Sequence, residues 1–220
     1  MCDPRSLFGN VALFLTVEND VVHVLLNSAR EYPYGFFSSH SEGGIGQRHI
    51  DMGKRSIDAM SETLKRNIYC LHPEDESTDT KVPEKVPLAP ARYTCEFWVD
   101  HLCEFGGQLV GHEAAFAFLQ DHFLHWLECM SLIHKLPSAV HSIKKLVFNA
   151  KSTPDQSSCY VSFLKDAERF VLRNLPIMER APLQTYGTAL ALSPAKSEIR
   201  TLYWKERLSV IGNITGVKDP

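Results

Sequence analysis

The helical periodicity of large apolar residues between Arg92 and Leu192 constrains the fold of this chain more than any other sequence feature. Apolar residues recur there every three or four positions, as on the buried face of an amphipathic helix. The clearest stripe comprises Tyr160, Phe163, Leu164, Ala167, Phe170 and Val171. Two further stripes comprise Cys95, Trp98, Leu102 and Phe105, and Phe116, Leu119, Phe123, Leu127 and Met130. We therefore predict a mainly α fold of irregular stacked helix pairs, without a fixed repeat period.

The N-terminal part differs from the rest in being β-rich. Val11–Val17 and Val21–Leu26 are apolar runs joined by a short polar turn, a pattern that predicts a β-hairpin. The following segment, Ser38–Gly46, is rich in serine and glycine and is typical of a loop. Residues 1–50 are thus expected to be a small hairpin-and-loop region.

Composition and the positions of the prolines divide the remainder of the chain into four parts. We expect an amphipathic helix over 51–72 and an acidic, proline-rich linker over 73–90. A helical domain over 91–206 follows, and then a tail over 207–220. The stripe around Phe123 leaves open a division into two helices with a bend. Shorter helices near the end of the domain are expected to be punctuated by Pro176, Pro182 and Pro194.

The overall composition is that of an ordinary globular protein. The 220 residues are 44% hydrophobic and 22% charged, with a formal net charge of −3. This balance gives no general attraction to nucleic acid or to an anionic membrane surface. Six scattered cysteines lack the dense spacing of a secreted disulfide framework, and no apolar stretch approaches the length of a membrane span. We expect a cytoplasmic protein with reduced thiols.

Three short motifs superficially suggest catalysis or cofactor binding. Gly53-Lys54-Arg55-Ser56 echoes the end of a phosphate-binding loop, but Arg48 stands where its first glycine belongs. The glycines from Gly43 to Gly46 lack the third glycine of a dinucleotide fingerprint. His112-Glu113 begins a zinc-protease pattern without its second histidine. We therefore expect no enzyme activity, no cofactor and no catalytic residue.

One constellation provides an alternative hypothesis. His122, His125 and Cys129 have the i, i+3 and i+7 spacing of a single helix face, and His101 and Cys103 lie on a neighbouring segment. Zinc is bound by such ligands in tetrahedral groups of four, so a metal-binding or enzymatic helical protein is the competing interpretation. The structural interpretation is that the histidines form hydrogen bonds at helix crossings and Cys129 fills the core. The sequence lacks the close ligand pairs that are typical of structural zinc sites, which favours the structural interpretation.

The amino-acid sequences of the helical segments resemble the helical region of fungal NACHT-type signalling ATPases. In that family the region lies between the nucleotide-binding module and a C-terminal propeller of WD repeats. The resembling segments are MSETLKRNIYCL (Met60–Leu71), YTCEFWVDHL (Tyr93–Leu102), FLQDHFLHWLECMSLI (Phe118–Ile133), FLKDAERFVLRN (Phe163–Asn174) and APLQTYGTALALSPAKSEIR (Ala181–Arg200). A looser resemblance of VVHVLLNSAREY (Val21–Tyr32) implies that residues 1–50 are a remnant of the family's winged-helix module, with the hairpin as its wing.

This resemblance implies a place in fungal self/non-self recognition. The chain would be a non-catalytic helical interaction and coupling module, because the family's ATPase residues lie in a part to which this sequence has no match. The implied partners are proteins, either related NACHT-type proteins or a second copy of this chain. The resemblance implies no nucleic acid, membrane or metal as a partner.

The acidic segment 73–90 generates a prediction about proteolysis. Its composition cannot bury enough apolar surface to offset the entropy cost of ordering it. Trypsin should therefore cut first at Lys81 or Lys85 and leave a resistant fragment that begins near Ala91. Mass spectrometry of a time course of limited digestion checks this. Early cuts within Phe116–Met130 or Tyr160–Val171 would show that the domain division is wrong.

Overall fold

The computed structural model describes residues 15–18, 21–24, 44–72, 91–104, 112–152 and 158–209, and it confirms a mainly α fold. The chain divides into two compact units, Met1–Arg48 and His49–Pro220. The elements in chain order are β1 (Leu15–Glu18), β2 (Val21–Val24), α1 (Gly44–Thr63), α2 (Ala91–Cys103), α3 (His112–Leu132), α4 (Leu136–Ser152), α5 (Ser158–Arg180), a 3-10 turn (Pro182–Thr185), α6 (Thr188–Ala191), α7 (Glu198–Tyr203) and a second 3-10 turn (Trp204–Glu206). The predicted linker 73–90 and the tail beyond residue 209 lie outside the described residues.

The first unit contains the expected hairpin. Strands β1 and β2 pair antiparallel, with Leu15 opposite Val24 and Glu18 opposite Val21. This antiparallel pairing is the one that the sequence pattern predicts. The outer parts of the two predicted apolar runs lie outside the described residues.

Helix α1 begins and ends earlier than predicted. It starts at Gly44, within the segment predicted to be a loop, and it ends at Thr63 rather than near residue 72. After it, the chain forms a turn in which Asn67 and Cys70 have φ angles of 52° and 54°. Left-handed residues cannot continue a right-handed helix, so the helix cannot extend through this turn to residue 72. The Asn67 side chain also binds both backbone groups of Leu71, which fixes the turn.

Helix α3 is the centre of the second unit, and it is one continuous helix rather than two helices with a bend. Phe123, Leu124, Trp126 and Leu127 are consecutive or nearly consecutive and all are completely buried. A helix that is apolar around most of its circumference must be surrounded by other elements. Its end is marked by His134 with a φ of 57°, the left-handed conformation common just beyond a helix.

Helix α5 continues past the point where punctuation was expected. Pro176 lies inside the helix, which extends to Arg180. A proline removes one backbone hydrogen bond and usually breaks a helix. Here buried residues on both sides of it, Asn174 and Met178, keep the helix packed on the core. The expected short helices follow as α6 and α7, interspersed with the two 3-10 turns.

A tyrosine hydroxyl fastens the C-terminal elements to α3. The Tyr203 hydroxyl donates to the carbonyl of Leu119 and accepts from the amide of Phe123, both at 2.8 Å. These two backbone groups are four residues apart and would ordinarily pair with each other within the helix. The hydroxyl therefore bridges a helical hydrogen bond, which is one of the few ways in which a side chain can enter a helix ladder. Helix α7 is thereby fixed against α3.

The close packing of α1 on α2 generates a second prediction. A Cβ atom at Gly53 would lie 2.6 Å from Cδ2 of Leu102. Helix propensity favours alanine by about 1 kcal/mol, but overpacking costs about 1–3 kcal/mol. We expect Gly53→Ala to lower the free energy of unfolding by about 1 kcal/mol, measured by urea denaturation. In a Leu102→Ala background the same substitution should instead be stabilising, and an equal loss in both backgrounds would contradict the contact.

Candidate functional site

The histidine face of α3 is built around a chain of hydrogen bonds. Nε2 of His125 lies 2.8 Å from Oε2 of Glu206, and its Nδ1 lies 3.3 Å from Nδ1 of His122. Because a carboxylate only accepts, Nε2 of His125 donates to Glu206, whereas the direction of the hydrogen bond between the two Nδ1 atoms depends on the tautomers of the rings. The ring of Phe118 stacks on His122 at a centroid distance of 5.6 Å. The two histidines thus connect α3 to the C-terminal 3-10 turn.

The surroundings of His122 disfavour its charged form. Burial lowers the pKa of His122, and the neighbouring His125 lowers it further, while Asp121 and Glu206 oppose the shift. A neutral histidine that already forms hydrogen bonds within the protein is a structural contact. The chain from His122 through His125 to Glu206 has the composition of a proton relay, but the described neighbours of His122 provide no nucleophile for it to activate.

Cys129 does not join the two histidines. Its sulfur lies 3.4 Å from the sulfur of Cys95, and both residues are buried. The hydrogen bond with Cys95, followed by burial, raises the pKa of Cys129 far above its ordinary value. The thiol therefore stays protonated, which makes it a poor nucleophile and a poor metal ligand. The three residues of the metal-binding alternative are therefore split between a polar edge of α3 and the core.

His101 and Cys103 are also separate from that trio. His101 lies between Nδ1 of His49, at 3.0 Å, and the hydroxyl of Tyr93, at 2.7 Å. Burial, and then the neighbouring His49, lower the pKa of His101. Burial raises the pKa of Cys103 to about 11. Within the described ranges, no group of three or more His, Cys, Asp or Glu side chains is placed to hold a metal ion. The metal-binding alternative is therefore not favoured.

Sequence reasoning missed the most unusual polar residue, Glu128. Its carboxylate is 1% exposed and accepts hydrogen bonds from the backbone amides of Asn67 and Ile68 and from the Tyr186 hydroxyl, at 2.9, 3.2 and 2.7 Å. Burial raises the pKa of Glu128, while Tyr186 and the two amides oppose the shift. The available signal was a lone acidic residue within the apolar run LHWLECMSLI. It pointed to a buried carboxylate, although not to its partners.

The other motif-like segments are structural. Gly53, Lys54, Arg55 and Ser56 lie well inside α1, where backbone amides are engaged in helical hydrogen bonds. A phosphate-binding loop instead presents free amides at the start of a helix. His112-Glu113 forms the first turn of α3. No described helix is both long and apolar enough to cross a membrane.

Comparison with known proteins gives one informative relative. The chain is 30% identical over 241 aligned residues to the vegetative incompatibility protein HET-E-1 of Podospora anserina. The two are related. The alignment covers 98% of this chain but only 18% of HET-E-1, so the relative is several times longer. No protein-family model and no solved structure matches the chain. The relationship therefore concerns one portion of a much larger fungal protein.

The lowered pKa values of His101 and His122 generate a prediction about the pH dependence of stability. A histidine whose folded-state pKa lies below its unfolded value of about 6.5 contributes stability that is present above that pH and lost as the pH falls below it. Glu128, with a raised pKa, contributes in the opposite sense nearer its own ordinary range. We expect the free energy of unfolding to decrease between about pH 7 and pH 5. His101→Gln and His122→Gln should each flatten this dependence in urea titrations.

The exposed His141 on α4 provides the matched control, since His141→Gln removes a histidine without removing a buried hydrogen bond. This variant should keep the pH dependence of the parent protein. A parent protein whose stability does not change over this pH range would contradict the assignment of His101 and His122 as neutral, partly buried histidines.

Proposed function

We propose that this chain is a non-catalytic helical interaction and coupling module of fungal incompatibility signalling. The observation that carries the proposal is the alignment with HET-E-1, which spans nearly the whole chain and less than a fifth of the relative. A match of that extent is what a module shared between two proteins would give. We further propose that the module lies between a nucleotide-binding unit and a WD-repeat sensor, a position that the resemblance to NACHT-type ATPases supports.

The internal chemistry of the second unit supports a role in packing rather than in catalysis. His122, His125 and Cys129 all contact other side chains of the protein. Glu128 is surrounded by donors from two other segments. Groups that are fully engaged in internal hydrogen bonds stabilise one arrangement of the helices. A rigid arrangement is what a module needs in order to transmit movement between neighbours.

A chimera tests this function directly. The stretch of HET-E-1 that aligns with this chain would be replaced by this chain, and the incompatibility reaction would be scored in the fungus. We expect the chimera to retain the reaction that a simple deletion of the stretch abolishes. A chimera that also carries Trp98→Ala is the matched control, because Trp98 is completely buried and its truncation costs about 3–5 kcal/mol.

A binding measurement complements the chimera. The full chain would be mixed with HET-E-1 lacking the aligned stretch, and complex formation would be followed by light scattering coupled to size-exclusion chromatography. We expect a complex, because a coupling module must contact the units on either side of it. An inactive chimera together with no detectable complex would overturn the proposal.

The position of the lysine-containing motif generates a prediction about nucleotides. The chain should show no saturable binding of ATP or GTP with Mg²⁺ in calorimetric titrations, because Gly53–Ser56 offers no free backbone amides to a phosphate. Lys54→Ala should leave the titration unchanged. Binding at micromolar concentration that Lys54→Ala abolishes would contradict both this prediction and the non-catalytic role.

A further inference from the structure

A basic groove runs along α5. Two depressions, of about 210 and 580 Å³, lie between α5 and the segment that connects α6 to α7. They share three lining residues, Asp166, Arg169 and Lys196, and therefore form one continuous groove. Arg173 lines one end of this groove and Lys165 lines the other.

The cations on the α5 wall are available to a partner. Lys165, Arg169 and Arg173 are all exposed and are spaced four residues apart, so they lie in one row along the helix. Within the described part of the chain, none of the three side chains forms a hydrogen bond or an ion pair. These three cations outnumber the two carboxylates that line the same groove, Asp166 and Glu198, so the row favours an acidic partner.

The carboxylates of the groove are already engaged by the protein. Asp166 accepts hydrogen bonds from the hydroxyl of Ser197 at 2.7 Å and from the amide of Ile199 at 3.0 Å. Glu198 accepts from the hydroxyl of Ser162 at 2.5 Å. These bonds hold the start of α7 against α5, so the two walls of the groove are fixed before any partner binds. Preorganisation of this kind lowers the entropy cost of binding.

The spacing of the cations indicates the form of the partner. Four residues of helix rise about 6 Å, and alternate residues of an extended strand are about 6.6 Å apart with their side chains on the same face. An extended peptide with an acidic residue at every second position therefore matches the row of cations nearly residue for residue. A cluster of adjacent acidic residues matches it poorly, because neighbouring side chains point to opposite faces.

We propose that this groove binds an extended acidic segment of a protein partner, with carboxylates at alternate positions facing Lys165, Arg169 and Arg173. The inference rests on the proposed interaction role of the chain and adds the chemistry of one partner. The contact would be dominated by exposed ion pairs, so it should weaken as salt is raised.

Fluorescence anisotropy of the full chain with labelled synthetic peptides tests the proposal. One peptide has four serines and four glutamates in strict alternation, and the second has the same composition with the glutamates adjacent. A third replaces every glutamate by glutamine. We expect saturable binding of the alternating peptide at about 20 mM salt and weaker binding at about 150 mM. The adjacent-glutamate peptide should bind several-fold more weakly, and the glutamine peptide should not bind.

Protein variants locate the contact. Each exposed ion pair changes an equilibrium by up to about fivefold, so Lys165→Gln, Arg169→Gln and Arg173→Gln together should weaken binding by about tenfold or more. The matched control removes the same charge from exposed cations outside the groove, namely Lys54→Gln, Arg55→Gln and Lys144→Gln. It should change affinity less than about twofold. Thermal unfolding of both variants verifies that each is folded. If the triple variant is not folded, Arg169→Lys is used in its place, because it retains the charge.

Three results with the peptides would each overturn the proposal: no saturable binding of the alternating peptide, equal affinity for the two glutamate peptides, or equal losses in the two triple variants. Tighter binding of a single-stranded RNA of similar charge would also overturn it, because the groove would then recognise phosphate rather than alternating carboxylates. The HET-E-1 chimera can still be active when peptide binding fails. In that case the groove proposal is wrong and the coupling function stands.

Discussion

A buried carboxylate links three separate parts of the helical unit. Glu128, on the central helix α3, accepts hydrogen bonds from the turn that follows α1 and from Tyr186, just before α6. Removing a carboxylate from water costs several kcal/mol unless donors replace the lost hydration. The turn at Asn67 supplies two of these donors, and it contains two residues in the left-handed conformation, Asn67 and Cys70. The turn after α1 and the segment around Tyr186 are therefore both held against α3 by this one group.

Other polar groups of α3 are also satisfied by distant segments of the chain. The Tyr203 hydroxyl satisfies two backbone groups of this helix, and Glu206 accepts a hydrogen bond from His125. Each polar contact fixes a C-terminal element against the central helix, which apolar packing alone would leave free to slide. The chemically versatile side chains near α3 are consequently engaged inside the unit. Recognition of a partner, as proposed for the cations along α5, would then fall to exposed groups.

Helical periodicity predicted much of the core from the sequence. Trp98, Phe123 and Phe163 belong to the predicted stripes, and all three are buried. The errors concern positions where local propensity and tertiary packing disagree. Pro176 was expected to interrupt α5, and Gly44 lies in a segment expected to be a loop. Proline and glycine disfavour a helix by fixed local amounts, whereas packing along a long helix face can exceed those amounts.

The candidate site shows the same division between local and tertiary information. By itself the sequence determined the mainly α class, the apolar faces and the resemblance to fungal signalling proteins, because each is written in residue order and spacing. It also placed His122, His125 and Cys129 on one face of α3. Only the tertiary structure separated them, since seven residues of helix rise by about 10 Å and each level of the face meets a different neighbour. Glu206 approaches the histidines and Cys95 approaches Cys129, and no spacing along a single helix specifies which distant segment packs at which level.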